Sequence, residues 1–110
     1  MTVDDDPGRA AARVSGRLEA VVRGRVQGVG FRYWVLKRSN GLGITGWVAN
    51  ELDGSVRVVA EGEPSSLDEL EQFLGRGPVG SVVEAVQVVR MPATNGFSRF
   101  EVRSGSHGGD

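Results

Sequence analysis

Over residues 17–24 the apolar Leu18, Ala20 and Val22 recur at every second position, the period of a half-buried strand. The period then lengthens. Phe31, Trp34 and Val35, with the stem of Arg38, fall on one face of a helix over 31–40, and Asn40-Gly41 supplies a left-handed stop. Strand patterning returns over 44–50 and 55–61, joined through Glu51-Leu52-Asp53-Gly54, where Asp-Gly offers the positive φ of a hairpin turn. Pro64-Ser65-Ser66 announces a second helix: Ser66 and Glu69 stand at capping-box spacing, and Leu67, Leu70, Phe73 and Leu74 share one face. This helix is expected to stop before Gly75 and Gly77-Pro78. The valine-rich run from Val82 to Val89 reads as a strand whose period does not say which face is buried, and Phe97 to Arg103 as a short final strand.

That order, βαββαβ plus one strand, predicts an α+β protein with a ferredoxin-like βαββαβ two-layer sandwich. The sheet is mainly antiparallel with an extra C-terminal strand, and right-handed crossovers put both helices on one face. In such a sandwich the turn from Gly24 to Gly30 and the end of the second strand can share one edge of the sheet, an arrangement that brings Asn50 towards the turn. The chain of 110 residues makes one domain, long enough to bury about two thirds of its unfolded surface. Residues 1–16 and 104–110 are poor in large apolar side chains and read as disordered tails around a domain at 17–103.

Composition removes most reactive chemistry. There is no cysteine, hence no disulfide, thiolate nucleophile or cysteine metal site. His107 stands among glycine and serine in the C-terminal tail, and Asp4-Asp5-Asp6, which imitates an aspartyl-phosphate motif, follows no apolar strand and reads as a solvated acidic run. No acidic cluster on an ordered element has metal-ligand spacing, so neither metal nor cofactor is expected. The N-terminus is acidic where a secretory signal is basic, and no apolar run approaches the roughly 20 residues of a membrane span; the expected location is cytoplasmic. A net charge of −1, from 13 basic and 14 acidic residues, gives no global field for nucleic acid or anionic membrane. Only a local anion site is left.

The stretch Gly24-Arg25-Val26-Gln27-Gly28-Val29-Gly30-Phe31-Arg32 supplies a candidate. It leaves a strand and enters a helix, whose first N–H groups have no partner within the helix. Gly28 and Gly30 accept φ > 0 and lack Cβ, so neighbouring N–H groups can converge on one anion, and Arg32 adds a planar fork of charged donors. Spacing alone also suits a tight connection whose glycines serve only the bend, with Arg32 in a surface ion pair. A cation in the first turn of a helix opposes the dipole, which is a reason to expect an anion there. Gly41-Leu42-Gly43-Ile44-Thr45-Gly46 matches a dinucleotide fingerprint in letters, but it runs from helix into strand, the reverse of the required order.

The same nonapeptide resembles the signature of the acylphosphatases, and Gly46-Trp47-Val48-Ala49-Asn50 followed by Asp53-Gly54 resembles that family's second block. The similarity covers about residues 17–103 and takes in Glu61-Gly62, Gly77-Pro78 and the closing Phe97-Ser98-Arg99-Phe100-Glu101-Val102-Arg103. Ala49 departs from it, since members often carry a basic residue before the asparagine. The resemblance implies hydrolysis of acyl phosphates, with Arg32 and Asn50 as the catalytic residues and Asn50 orienting the attacking water. The phosphoryl oxygens are then held by Arg32 and the N–H groups of Gln27, Gly28, Val29, Gly30 and Phe31.

Such sparse chemistry suits that substrate. Phosphoryl transfer through a loose transition state needs positioning and charge stabilisation more than covalent help, and a carboxylate, whose ordinary pKa is near 4, leaves without a general acid. The expected partner is a small acyl phosphate, with neither nucleic acid nor membrane bound and the protein a monomer. RNA recognition motifs share the element order, but their central strands carry stacking aromatics, and Ser55 to Glu61 has none. A non-catalytic sensor of phosphorylated metabolites using the same loop is the other alternative. Asn50 as a plain turn former and Trp47 as sheet packing are the simpler readings of those residues.

Overall fold

A computed structural model describes residues 13–104. Seven elements follow one another: β1 (Gly16–Arg25), α1 (Phe31–Gly41), β2 (Thr45–Asn50), β3 (Val56–Gly62), α2 (Pro64–Arg76), β4 (Val82–Pro92) and β5 (Phe100–Arg103). The sheet order is β4-β1-β3-β2-β5, every pair antiparallel except β2 with β5. The two helices touch each other and cover one face of the sheet. This is the α+β, ferredoxin-like sandwich with one added strand that the element order predicts. Among the described residues no helix is long and apolar enough to cross a membrane.

The alternation of β1 decides which face is covered. Leu18, Ala20 and Val22 lie opposite Ala60, Val58 and Val56 of β3, all of them buried, and meet Phe31 and Val35 of α1 and Leu67, Leu70 and Leu74 of α2 in one core. Burying each such large side chain is worth roughly 1.5–3 kcal/mol, which outweighs the small differences in local propensity. The opposite face carries Arg17, Glu19, Arg57 and Trp47, with the Arg103 guanidinium 4.7 Å from the Trp47 ring centroid. Trp47 is therefore sheet packing.

Several boundaries differ from the pattern. The capping box does not form: α2 begins at Pro64, with Glu63 at the N-cap and no side-chain cap, and Ser66 lies inside the first turn. Proline already lacks the N–H that a cap would satisfy and has its φ preset for the helix. The helix also runs through Gly75 to Arg76, because Leu70 and Leu74 are wholly buried and the Arg76 guanidinium packs over the Phe73 ring. In α1 the left-handed stop falls at Gly43, not Gly41, with Ile44 N–H returning to the Ser39 carbonyl at 2.9 Å. Its covered face takes Phe31, Val35 and Ser39, while Trp34 packs edge-on between Phe31 and Phe73 with Arg38 above it.

The unreadable period of β4 has a cause in the ladder. Gly24 pairs Val83 and Arg23 pairs Ala85, leaving Glu84 as an extra residue in a bulge. Val83, Val86 and Val88 consequently all reach the core side, a spacing neither alternating nor helical. At the N-terminal side, Gly16 is already in β1, and Val14 and Ser15 bond to residues 93 and 95. The ordered ladder thus starts slightly before 17. The remainder of the tail assignments, with Asp4-Asp5-Asp6 and His107, lies outside the described residues.

Candidate active site

β1 ends at Arg25 beside β4, and the chain must turn to start α1 at Phe31. Gly28 and Gly30 take φ of +75° and +78°, Gly30 serving as the N-cap with no side-chain cap. A Cβ at either would meet nothing within 4 Å, so it is the left-handed backbone, not crowding, that calls for glycine. Among the described residues, no acceptor is paired with the backbone N–H groups of Gln27, Gly28, Val29, Gly30 or Phe31. A row of unpaired donors at a helix N-terminus is the geometry that favours an anion.

β2 runs antiparallel to β3 and brings its last residue, Asn50, to the same end of the sheet as this turn. Asn50 lies opposite Val56 on the helix-covered face and is 4% exposed. Its carboxamide Oδ1 is buried and has no hydrogen-bond partner among the described residues. An unsatisfied buried acceptor costs about 1–3 kcal/mol, so its persistence asks for a functional reason. The other such atom among the described residues, Ser39 Oγ, is in the last turn of α1, at the opposite end of that helix.

One cavity of about 440 Å³ is lined by Val26, Gln27, Gly28, Gly30, Phe31, Arg32, Tyr33 and Asn50. All the predicted site residues except Val29 thus meet there; the Val29 side chain packs against the core. Arg32 extends from the first turn of α1, and its Nη1 donates to the main-chain carbonyl of Arg103, the last residue of β5, at 2.8 Å. Its guanidinium carbon lies 5.9 Å from the Tyr33 ring centroid.

The hairpin beside Asn50 is tied internally. Glu51 N–H donates to the Ser55 carbonyl at 2.9 Å, and the Ser55 hydroxyl and N–H both donate to Asp53 Oδ1, at 2.6 and 3.0 Å. Those bonds from Ser55, reinforced by Arg23 at 3.0 Å, lower the Asp53 pKa to about 2. The turn is tied to the loop as well: Gln27 Nε2 donates to the carbonyls of Glu51 at 2.8 Å and Ser55 at 3.0 Å.

Sequence reasoning brought Gln27 in through its main-chain N–H and missed its side chain. The signal was weak, since most side-chain hydrogen bonds go to backbone or water wherever the residue stands. Tyr33 and the Arg103 carbonyl were also missed; nothing in a linear reading links Arg32 to a carbonyl 71 residues away. No group of three or more His, Cys, Asp or Glu is placed to hold a metal ion among the described residues. The arrangement offers a permanent cation, a row of N–H donors and a buried carboxamide around one cavity, which is equipment for binding a phosphoryl group and placing a water against it.

Comparison with known proteins finds related chains. The acylphosphatase family model matches residues 18–102. A protein of Rubrobacter xylanophilus named acylphosphatase is 45% identical over 96 residues, 87% of each chain. Another of that name from Pseudomonas aeruginosa is 49% identical over 86 residues, 78% of this chain and 93% of that one. The crystal structure of acylphosphatase from Bacillus subtilis matches with a TM-score of 0.78 and 34% identity, covering 80% of this chain and 98% of that chain.

Proposed function

The chain belongs to the acylphosphatase family and is an enzyme that hydrolyses acyl phosphates, and from that premise we propose how its own residues do so. The N–H groups of Gln27 to Phe31 and the Arg32 guanidinium hold the phosphoryl oxygens. Asn50 Oδ1 accepts a hydrogen bond from the attacking water and turns a lone pair of that water towards phosphorus. The carboxylate departs on the opposite side.

The observation that carries this reading is that Asn50, whose buried Oδ1 has no partner among the described residues, lines the same cavity as the unpaired N–H row and Arg32. Charge on the equatorial oxygens meets donors already in place, so little reorganisation is needed as the reaction proceeds. The leaving carboxylate is stable as an anion near neutral pH, which removes the need for a general acid. Because positioning and electrostatics suffice for a substrate activated in this way, the proposed mechanism uses neither metal nor cofactor.

The same reading has the domain at about 17–103 working as a cytoplasmic monomer on a small acyl phosphate, without nucleic acid or membrane as partner. Ala49, 3% exposed with its side chain on the face away from the helices, adds no charge to the site. Turnover of benzoyl phosphate by the wild type and by the Arg32→Gln variant, with inorganic phosphate as competing ligand, tests the proposal. The variant is expected to lose at least about 10²–10³ in rate and to bind phosphate more weakly. Unchanged turnover would remove Arg32 from the mechanism, and inhibition by EDTA reversed by a divalent cation would overturn the metal-free route.

A further inference from the structure

We propose that the Gln27 side chain is a positioning residue that sets Asn50 against the phosphate-binding loop, a task separate from the N–H its main chain offers. The inference rests on the role given to Asn50 above. Three features of the junction lead to it.

First, the β1–β3 ladder ends at the pair Val22 and Val56, and from Arg23 to Arg25 the strand stays in the sheet only through β4. Beyond that pair, among the described residues, hydrogen-bonded or ionic links between the 23–30 segment and the β2–β3 hairpin reduce to two. One is the Arg23–Asp53 pair at 3.0 Å, with both side chains about half exposed. Exposed pairs hold geometry weakly. The other is Gln27.

Second, the two carbonyls that Gln27 Nε2 reaches are the first and last of the hairpin connection, Glu51 and Ser55. Glu51 follows Asn50 and Ser55 precedes Val56, the residue opposite Asn50 in the ladder. One carboxamide therefore bridges the mouth of the hairpin one residue beyond Asn50, using both of its amide protons. Third, Gln27 immediately precedes Gly28, whose N–H belongs to the loop. The path from donor row to hairpin is thus one side chain and its hydrogen bonds long. The Asn50 side chain itself makes no hydrogen bond through Oδ1 that could hold it in register.

A misplacement near 1 Å costs about 10²-fold in a reaction that depends on alignment. Gln27→Leu keeps the bulk and removes both donors. The expected result is a kcat for benzoyl phosphate lower by about tenfold to a hundredfold, while the inhibition constant of inorganic phosphate, set by the N–H row and Arg32, moves by less than about threefold. In an Asn50→Ala background, where there is no carboxamide left to position, Gln27→Leu should cost less than about threefold more. Gln27→Met carries the same measurements should the leucine variant fail to fold.

A wild-type kcat in the Gln27 variant overturns the inference while leaving the role of Asn50 intact. So does an equal loss of phosphate affinity and kcat, or a full additional loss on top of Asn50→Ala, because Gln27 would then be holding the loop and not the asparagine. If Asn50→Ala alone retains wild-type turnover, the water-orienting role fails, and this inference with it.

Discussion

Arg32 and Arg103 are joined by a hydrogen bond from a guanidinium in the first turn of α1 to a main-chain carbonyl at the end of β5, 2.8 Å long and spanning 71 residues. Strand β5 contributes backbone to the site, and the arginine is oriented from outside its own helix. Its worth lies in the planar fork, which can serve a carbonyl and a phosphoryl oxygen from different edges.

Arg32→Lys therefore makes a sharper test than neutralisation. It retains the charge and loses the fork, so kcat/KM for benzoyl phosphate should fall by about 10²–10³, roughly 3–4 kcal/mol of transition-state stabilisation. Activity above a tenth of wild type would show that charge alone is needed.

Asn50→Ala should separate activity from stability. The change removes no protein hydrogen bond at Oδ1 and deletes an unsatisfied acceptor, which offsets the small cavity left behind. We expect turnover to fall by at least about 10² while the free energy of unfolding stays within about 1 kcal/mol of wild type. A loss of several kcal/mol in urea denaturation would assign the residue a structural role.

Gly30→Ala distinguishes an anion-binding loop from a mere bend. There is room for the methyl group, but the left-handed backbone then costs about 1–2 kcal/mol. If the loop only turned the chain, activity would follow folding. We expect kcat/KM to drop, and the affinity for inorganic phosphate to weaken, at temperatures where circular dichroism shows the variant fully folded.

Acid stability should depend on Glu61, a wholly buried carboxylate at the other end of the sheet. It accepts from Arg17 at 2.8 Å, from the Thr94 N–H and hydroxyl at 2.9 and 2.8 Å, and from the Asn95 N–H at 2.7 Å. Burial by itself raises its pKa, but the bonds from Thr94, Arg17 and Asn95 outweigh burial and hold it below the usual 4.5. With the folded value lowered, the stabilisation is complete above 4.5 and drains away as pH falls through the folded value. Asp53 adds the same sign between 3.8 and about 2. Glu61→Gln should cost about 3–5 kcal/mol at pH 7 and show a shallower fall of stability below pH 4.5. Urea titrations at several pH values decide it.

Much of the fold was legible because β1 and α2 carry clean periods, two for Leu18, Ala20 and Val22, and helical for Leu67, Leu70 and Leu74. The failures were local and had tertiary causes. Ser66 has the chemistry of a cap, but Pro64 starts the helix two residues earlier. Val82 to Val89 hid its buried face behind a bulge at Glu84 that exists only because of how β1 pairs with it. At the candidate site, residues 27–32 form a contiguous stretch, so their common placement on one turn could be read directly. The Arg103 carbonyl and the Gln27 bridge could not, since each depends on which strand ends the topology brings together.

The parallel pairing of β5 with β2 also sets a timetable for biosynthesis. At roughly 5–20 residues per second, the 71 residues between Arg32 and Arg103 take about 4–14 s to be made. Throughout that interval a nascent chain already carries the whole glycine-rich loop but lacks the strand end that orients its arginine. On the mechanism proposed above, the loop is therefore synthesised well before the edge strand whose carbonyl receives the Arg32 guanidinium.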